Sequence, residues 1–599
     1  MMNRIGQTKA TVLASALAVA LLSAGAAAPA VAQLPDNAER ERPGPPVDIK
    51  QGFLQSTLAR MTLEEKVGQL FFTDAAGMHA HDTTGAATNQ RRFGVDTPAE
   101  VVQKFHLGGV LYFGANVSNP AQLNAFSNSL QEVALAEPSG IPLSLTIDQE
   151  TGIVARMREP ATDFPGNMAL GATRSTEYAE RIWNVVGTEL EAVGVNWNFA
   201  PVLDVNTNPL NPVIGLRSIS EDPELVGELG TAAMTALQAT GVSATVKHFP
   251  GHGDTEQDSH FGLPLVDYEL DTLMNVHVAP FAQAIDAGVD AVMTAHIVVT
   301  ALDDQWPSTL SGRVLTGLLR EELGFDGLIV TDALNMDAVA DQELSQDELA
   351  VRALEAGADV LLLPNDLPLA YQGVLNAVES GRVGIKRVEE SVLRILETKY
   401  DRELFRDPFA DPELVDEVIG TPESLALATE VSHASTTLIR NEADLLPLDG
   451  TQDVLVVGSA SSAALESRLA ELEVNVSRVP VDVTPTQAQR DAAVAAAANA
   501  DVVVVTTSNA RTSASTRLLV EQLAATGTPV VAVAFSLPYD AGFVPQADAV
   551  LATYSTRPVA MRALADVLVG EAEPGGRLPV TVHGPDGNVL YPFGHGLDY

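Results

Sequence analysis

The chain has 599 residues, 46% of them hydrophobic and 19% charged, which supports two large cores rather than one. Its 78 acidic and 35 basic side chains give a net charge of −43, which repels nucleic acid and anionic lipid and sets both aside as partners. It has no cysteine, hence no disulfide, no lipid-attachment thiol and no thiolate metal site.

In chain order, Arg4 and Lys9 precede an apolar, alanine-rich run that ends in "APAVAQ". A basic start, an apolar core and an A-x-A site read as a secretory signal peptide over residues 1–32, with cleavage expected between Ala32 and Gln33. An exported protein without a membrane span is the expectation. Residues 33–50, with "ERPGPPVD", read as a flexible leader.

From residue 51 to 405, short apolar runs alternate with amphipathic stretches. The runs are 68–72, 108–113, 142–147, 194–200, 242–246, 290–295, 327–331 and 358–363. Eight such strand–helix alternations predict a (β/α)8 TIM-type barrel. Residues 406–449 open with the proline- and acid-rich "RDPFADPELVDE" and read as a linker. Residues 450–599 carry four further runs, at 453–460, 500–510, 528–535 and 547–555, which predict a smaller, doubly wound, parallel α/β domain. Its "GSASSAA" lacks the G-x-G-x-x-G spacing, so no dinucleotide is expected, and no cofactor of any other kind.

The residues just past the barrel runs include Asp74, Asp148, Asp204, Lys247, His248, His296, Asp332 and Asp366. In a barrel these strand ends converge on one face, where active sites are built. Any single aspartate there could equally cap the following helix. Capping does not explain the lysine or the histidines.

One stretch concentrates the chemistry: "KHFPGHGDTEQDSH", Lys247 to His260. A metal site is disfavoured because Pro250 and Gly251 separate His248 from His252, so no helix presents both to an ion. A phosphate cradle is disfavoured because the lysine precedes the glycines and the acids repel polyphosphate. An acid–base loop fits. Gly251 and Gly253 permit a sharp turn over the barrel mouth, and Asp258 and His260, two apart, share a face if the segment is extended. The carboxylate then orients and polarises the imidazole for proton transfer. Asp332, at the end of run seven in "GLIVTDALNM", is the candidate nucleophile.

These stretches, with "TIDQETGIVARM" and "NFAPVLDVNTNPLNPVIGLRSIS", resemble the barrel of glycoside hydrolase family 3. The "GDTxxDSH" ending is similar to the family's β-N-acetylglucosaminidase branch. From "TLIRNEADLLPL" to "YPFGHGLDY" the chain resembles the second domain of longer members. The resemblance implies Asp332 as nucleophile and Asp258–His260 as the acid/base pair. It implies Asp148, Arg156, Arg217, Lys247 and His248 as holders of the sugar's hydroxyls. The implied substrate is terminal β-linked N-acetylglucosamine, in peptidoglycan fragments or chitin oligomers, cleaved with retention. A β-glucosidase and a phosphorylase of the same family stay open as alternatives. A non-catalytic sugar-binding protein would be expected to lack the nucleophile or the pair, and both are present. The chain departs from the branch's "DQEGGRV" at Thr151 and Ile153, which read as loop support beside Arg156.

Overall fold

A computed structural model of the chain describes residues 49–340 and 344–599. The expected signal peptide and all but the end of the expected leader lie outside them.

Eight parallel strands form one sheet in sequential order: β1 Phe71–Thr73, β2 Gly109–Tyr112, β3 Ser144–Ile147, β4 Trp197–Asn198, β5 Ser243–Phe249, β6 Ala291–Thr294, β7 Leu328–Val330 and β8 Leu361–Leu362. β8 pairs with β1, and a parallel bridge between Val330 and Val360 closes the ring against β7. This is the expected (β/α)8 barrel. Two of the strand bounds that differ from the sequence reading do so for clear local reasons. Thr62 and Glu65 form a reciprocal cap that starts a helix over Leu63–Gln69, so β1 begins at Phe71 instead of at residue 68. β5 runs on through Lys247 and His248, which therefore sit within the strand rather than past it.

The barrel interior is filled by side chains. The buried Phe72 meets Trp197 edge-on at 5.5 Å, and the Trp197 indole donates to Thr245 Oγ1 at 2.6 Å. On the N-terminal side of the sheet the buried Asp359, just before β8, pairs with Arg320, Arg387 and Arg394. Charge at that end seals the barrel, and the chemistry lies at the other.

The second sheet has six strands: β9 Thr437–Asn441, β10 Val454–Gly458, β11 Val476–Pro480, β12 Val502–Thr507, β13 Val530–Ala534 and β14 Ala549–Ala552, in the order β9-β14-β13-β12-β10-β11. The five parallel strands follow the 2-1-3-4-5 order of a doubly wound sheet. Alternate residues of β12 feed separate cores on the two faces: Val503 and Val505 into one, Val502 and Val504 into the other.

Two expectations need correction here. The sheet is mixed, because β9 runs antiparallel along its edge against β14. And residues 406–449 are not simply a linker. After the acidic turn, Thr421 caps a helix over Pro422–Ser435 with proline in its first turn. His433 of that helix reaches Asp566 at 2.9 Å, and β9 follows directly, so folded structure begins well before residue 450.

The two domains interlock near the barrel mouth. Asn206 donates to Tyr539 Oη at 2.9 Å, Ser220 to the Pro579 carbonyl at 2.6 Å, and Thr581 to Glu221. Among the described residues, no helix is long and apolar enough to cross a membrane.

Candidate active site

Asp148, Gln149 and Glu150 continue from β3. Asn198 of β4 exchanges two hydrogen bonds with the Gln149 backbone, at 2.9 and 3.0 Å, and so fixes this strand end. The Gln149 amide side chain in turn holds the backbone of Arg156 and Met157. Lys247, from β5, lies 2.9 Å from Asp148 Oδ1 and 2.7 Å from Glu150 Oε1. Arg217, in a short turn over Gly215–Arg217, clamps both Glu150 oxygens at 2.8 Å.

Such a buried cluster survives only because its charges are paired. Burial opposes ionisation of Glu150, yet Arg217 and Lys247 hold its carboxyl well below the usual range. Burial likewise opposes the charge on Lys247, and Asp148 and Glu150 keep its pKa raised. Arg217 Nη2 approaches His248 Nε2 at 3.3 Å, and His248 Nδ1 approaches the buried Asp204 at 2.7 Å. Since arginine can only donate, His248 Nε2 accepts and Nδ1 carries the proton to Asp204.

Asp332 follows β7 across the same mouth. Its backbone N–H donates to Thr294 Oγ1 at 3.3 Å, and its Oδ1 accepts from the Ala333 amide at 2.7 Å. Burial alone would raise its pKa. His248, His296, the Ala333 amide and Lys247 outweigh that and hold it down at about 2. Asp332 is therefore a carboxylate at neutral pH, available as a nucleophile.

The loop after β5 folds over these groups. Gly251 has φ +125°, and a Cβ at Gly253 would stand 1.9 Å from the Val205 carbonyl oxygen, so each position needs glycine for its own reason. His252 is the loop's buried anchor, with Nδ1 2.7 Å from Thr255 Oγ1 and Nε2 2.9 Å from Ser259 Oγ. Burial pushes its pKa down to about 4, so the ring is neutral at neutral pH. The Ser259 carbonyl accepts from Ala338 N at 3.3 Å, tying this loop to the one that carries Asp332. His260 Nδ1 stands 2.7 Å from Asp258 Oδ1, which also accepts the His260 backbone N–H at 2.9 Å. The expected pair is thus formed, but not by an extended segment. Residues 258–261 make a turn, closed by Phe261 N–H to the Asp258 carbonyl at 3.0 Å.

A cavity of about 370 Å³ collects these residues, within the range of roughly 300–1,000 Å³ of small-ligand sites. Asp148, Arg156, Arg217, Lys247, His248, His260 and Asp332 all line it, and Asp258 stands behind His260. Asp366 does not join them: its side chain caps the helix over Leu367–Glu379 by accepting from Leu369 N. Asp74 pairs with Arg92 in a neighbouring cavity. Sequence reasoning gave no place at the site to Glu150, Ser259 and Phe113, and weighed His252 only as a metal ligand, not as the loop's anchor. For Ser259 a signal was available in its place between the two pair residues. For Glu150 the partners come from β5 and from a turn beyond β4, which no local pattern reveals.

Comparison with known proteins agrees with both domains. Residues 62–398 match the Glycosyl hydrolase family 3 N terminal domain, and residues 436–599 match the corresponding C-terminal domain. The chain is 33% identical over 550 residues to Beta-hexosaminidase A of Pseudoalteromonas piscicida, covering 81% of this chain and 91% of that one. It is 29% identical to a Beta-N-acetylglucosaminidase/beta-glucosidase of Cellulomonas fimi, covering 88% and 95%. Among solved structures, a glycoside hydrolase family 3 beta-N-acetylglucosaminidase from Paenibacillus sp. superposes with a TM-score of 0.79 at 38% identity, over 87% of this chain and 99% of that one. Matched along both domains, this chain belongs to glycoside hydrolase family 3.

Proposed function

We propose that the protein is an exported, retaining β-N-acetylglucosaminidase that removes terminal β-linked N-acetylglucosamine from peptidoglycan fragments or chitin oligomers. One observation carries the reading: an ionised carboxylate, Asp332, and a carboxylate-paired imidazole, His260, serve one sugar-sized cavity. The names of the relatives supply the sugar. In the first step a carboxylate oxygen of Asp332 bonds to the anomeric carbon as the bond to the departing oxygen breaks. The imidazolium of His260, oriented through Nδ1 by Asp258, gives its Nε2 proton to that oxygen. In the second step the neutral ring takes a proton from water, whose oxygen displaces Asp332. The sugar leaves with its configuration retained. Asp148, Arg156, Arg217, Lys247 and His248 hold its hydroxyls, for which carboxylates and guanidinium groups are suited.

A second reading, β-glucosidase activity alongside the first, draws on the double name of the Cellulomonas fimi relative. Comparing aryl N-acetylglucosaminide with aryl glucoside turnover ranks the two. The acid/base role is tested by His260→Ala. A poor leaving group should lose on the order of 10²–10⁴-fold in the first step, an activated aryl group far less, and azide should restore the second step. Equal losses without azide rescue would move the acid/base elsewhere. Export is tested by sequencing the N-terminus of protein recovered outside the cell, which should begin at Gln33.

A further inference from the structure

Phe261 directly follows the acid–base pair, and it is 78% exposed. No aromatic side chain among the described residues is more open to solvent. A lone exposed phenylalanine elsewhere on a surface needs no explanation. This one is held beside a reacting group. Its N–H closes the turn on the Asp258 carbonyl at 3.0 Å, and its ring centroid stands 6.4 Å from that of His260. Ser259 fixes the same turn from behind, through the His252 ring at 2.9 Å and the Ala338 amide at 3.3 Å.

Ser259 and His260 line the catalytic cavity, whereas Phe261 is not among its walls. The sugar being cleaved fills that cavity. The departing oxygen has to lie within hydrogen-bond reach of His260 Nε2. The ring attached to that oxygen therefore extends past His260 and comes within reach of Phe261. A β-linked pyranose with equatorial substituents presents only C–H bonds on its two faces, which suits the face of an aromatic ring. Charge on this stretch of the chain has one sign. No lysine or arginine occurs between residues 248 and 312, while the loop and the segment after it carry Asp254, Glu256, Asp267 and Glu269 besides Asp258. Glu256, Asp267 and Glu269 are exposed.

We propose that Phe261 is the platform on which the leaving sugar stacks, and that the loop selects an uncharged ring there. The preferred substrate is then a chitin oligomer, whose leaving ring is neutral. A peptidoglycan fragment, whose muramyl ring carries a lactyl carboxylate or peptide acids, is the poorer one. An anionic ring would face Glu256 and its neighbours with no lysine or arginine on the loop to pair with. Stacking also holds the glycosidic oxygen against the imidazole that protonates it. The inference deepens the glycosidase reading above and rests on it.

The test compares the wild-type protein with Phe261→Ala on three substrates: the methyl β-glycoside of N-acetylglucosamine, the β-1,4-linked disaccharide of that sugar, and the disaccharide in which muramic acid is the leaving sugar. All three leave as poor alkoxides and need the acid, but only the disaccharides have a ring to stack. In Phe261→Ala, kcat/KM for the neutral disaccharide should fall about three- to tenfold, the size of one aromatic stacking contact. The methyl glycoside should lose little, and Phe261→Tyr should keep the disaccharide rate. In the wild type the muramyl disaccharide should be slower than the neutral one by on the order of tenfold at low salt, and the gap should narrow as salt rises. Equal losses on the methyl glycoside and the disaccharide would make Phe261 a prop of the loop and overturn the platform, as would an unchanged disaccharide rate. Faster cleavage of the muramyl disaccharide would overturn the selection. If none of the three is cleaved, the glycosidase reading falls first and this inference with it.

Discussion

Replacing His252 with phenylalanine asks what holds the acid–base loop in place. The change keeps a buried aromatic ring and removes its hydrogen bonds to Thr255 and Ser259, at 2.7 and 2.9 Å. Thr255 keeps its contacts with Asn211 and the His252 carbonyl, whereas the Ser259 hydroxyl loses its imidazole. Stranding one buried neutral group costs about 2 kcal/mol, and the cost falls on a residue flanked by both members of the pair. Expressed in the loop's docking equilibrium, that is roughly 30-fold. The expected loss in kcat is of that size for a glycoside with a sugar leaving group, below the full contribution of a general acid. For the first step on a nitrophenyl glycoside the loss should be much smaller. Thermal melts should confirm that the protein is folded. Unchanged turnover of the sugar-leaving substrate, or equal losses on both, would refute the anchoring role of His252.

Glu150→Gln keeps the shape of the hub but leaves the buried Arg217 and Lys247 to share Asp148; it should cost about 3 kcal/mol in a urea titration, and KM should rise more than kcat falls. Thr151 sits at φ +72°, a left-handed conformation that disfavours a β-branched residue, so Thr151→Gly should gain about 1 kcal/mol and raise the melting temperature by a degree or two. Burial pushes His252 and His277 down to about 4 from 6.5, so the unfolded chain binds protons that the native one refuses, and stability should fall as pH drops from 6.5 to 4. Asp540, pushed up to about 6 by burial, works the other way over most of that window. The urea midpoint followed against pH should fall as these histidines are protonated in the unfolded chain, and His252→Phe should flatten the slope.

The barrel was legible because its strands are mostly apolar and buried on both faces, as parallel strands require. Asp332 and the Asp258–His260 pair were legible as candidates because sequence neighbours carry them: Asp332 follows an apolar run, and Asp258 and His260 are two apart. What escaped the sequence depends on distance along the chain or on weak local contrast. Val476–Pro480 is a half-exposed edge strand containing an arginine and a proline, so β11 showed no apolar run. Pro422–Ser435 presents small residues to its neighbours instead of a broad apolar stripe, and the acidic turn before it drew the boundary too late. Asp366 looked like the other strand-end aspartates. Only the structure separates the capping carboxylate from those that face the cavity.

In the proposed reaction Asp332 forms a covalent bond to the sugar. A 2-fluoro or 5-fluoro glycoside slows breakdown of the covalent intermediate and lets it accumulate. Peptide mass spectrometry of protein treated in this way should find the sugar on the peptide that contains Asp332, and on no other. Label on a different carboxylate, Glu150 or Asp148 for instance, would contradict the assignment, as would full inactivation without any labelled peptide.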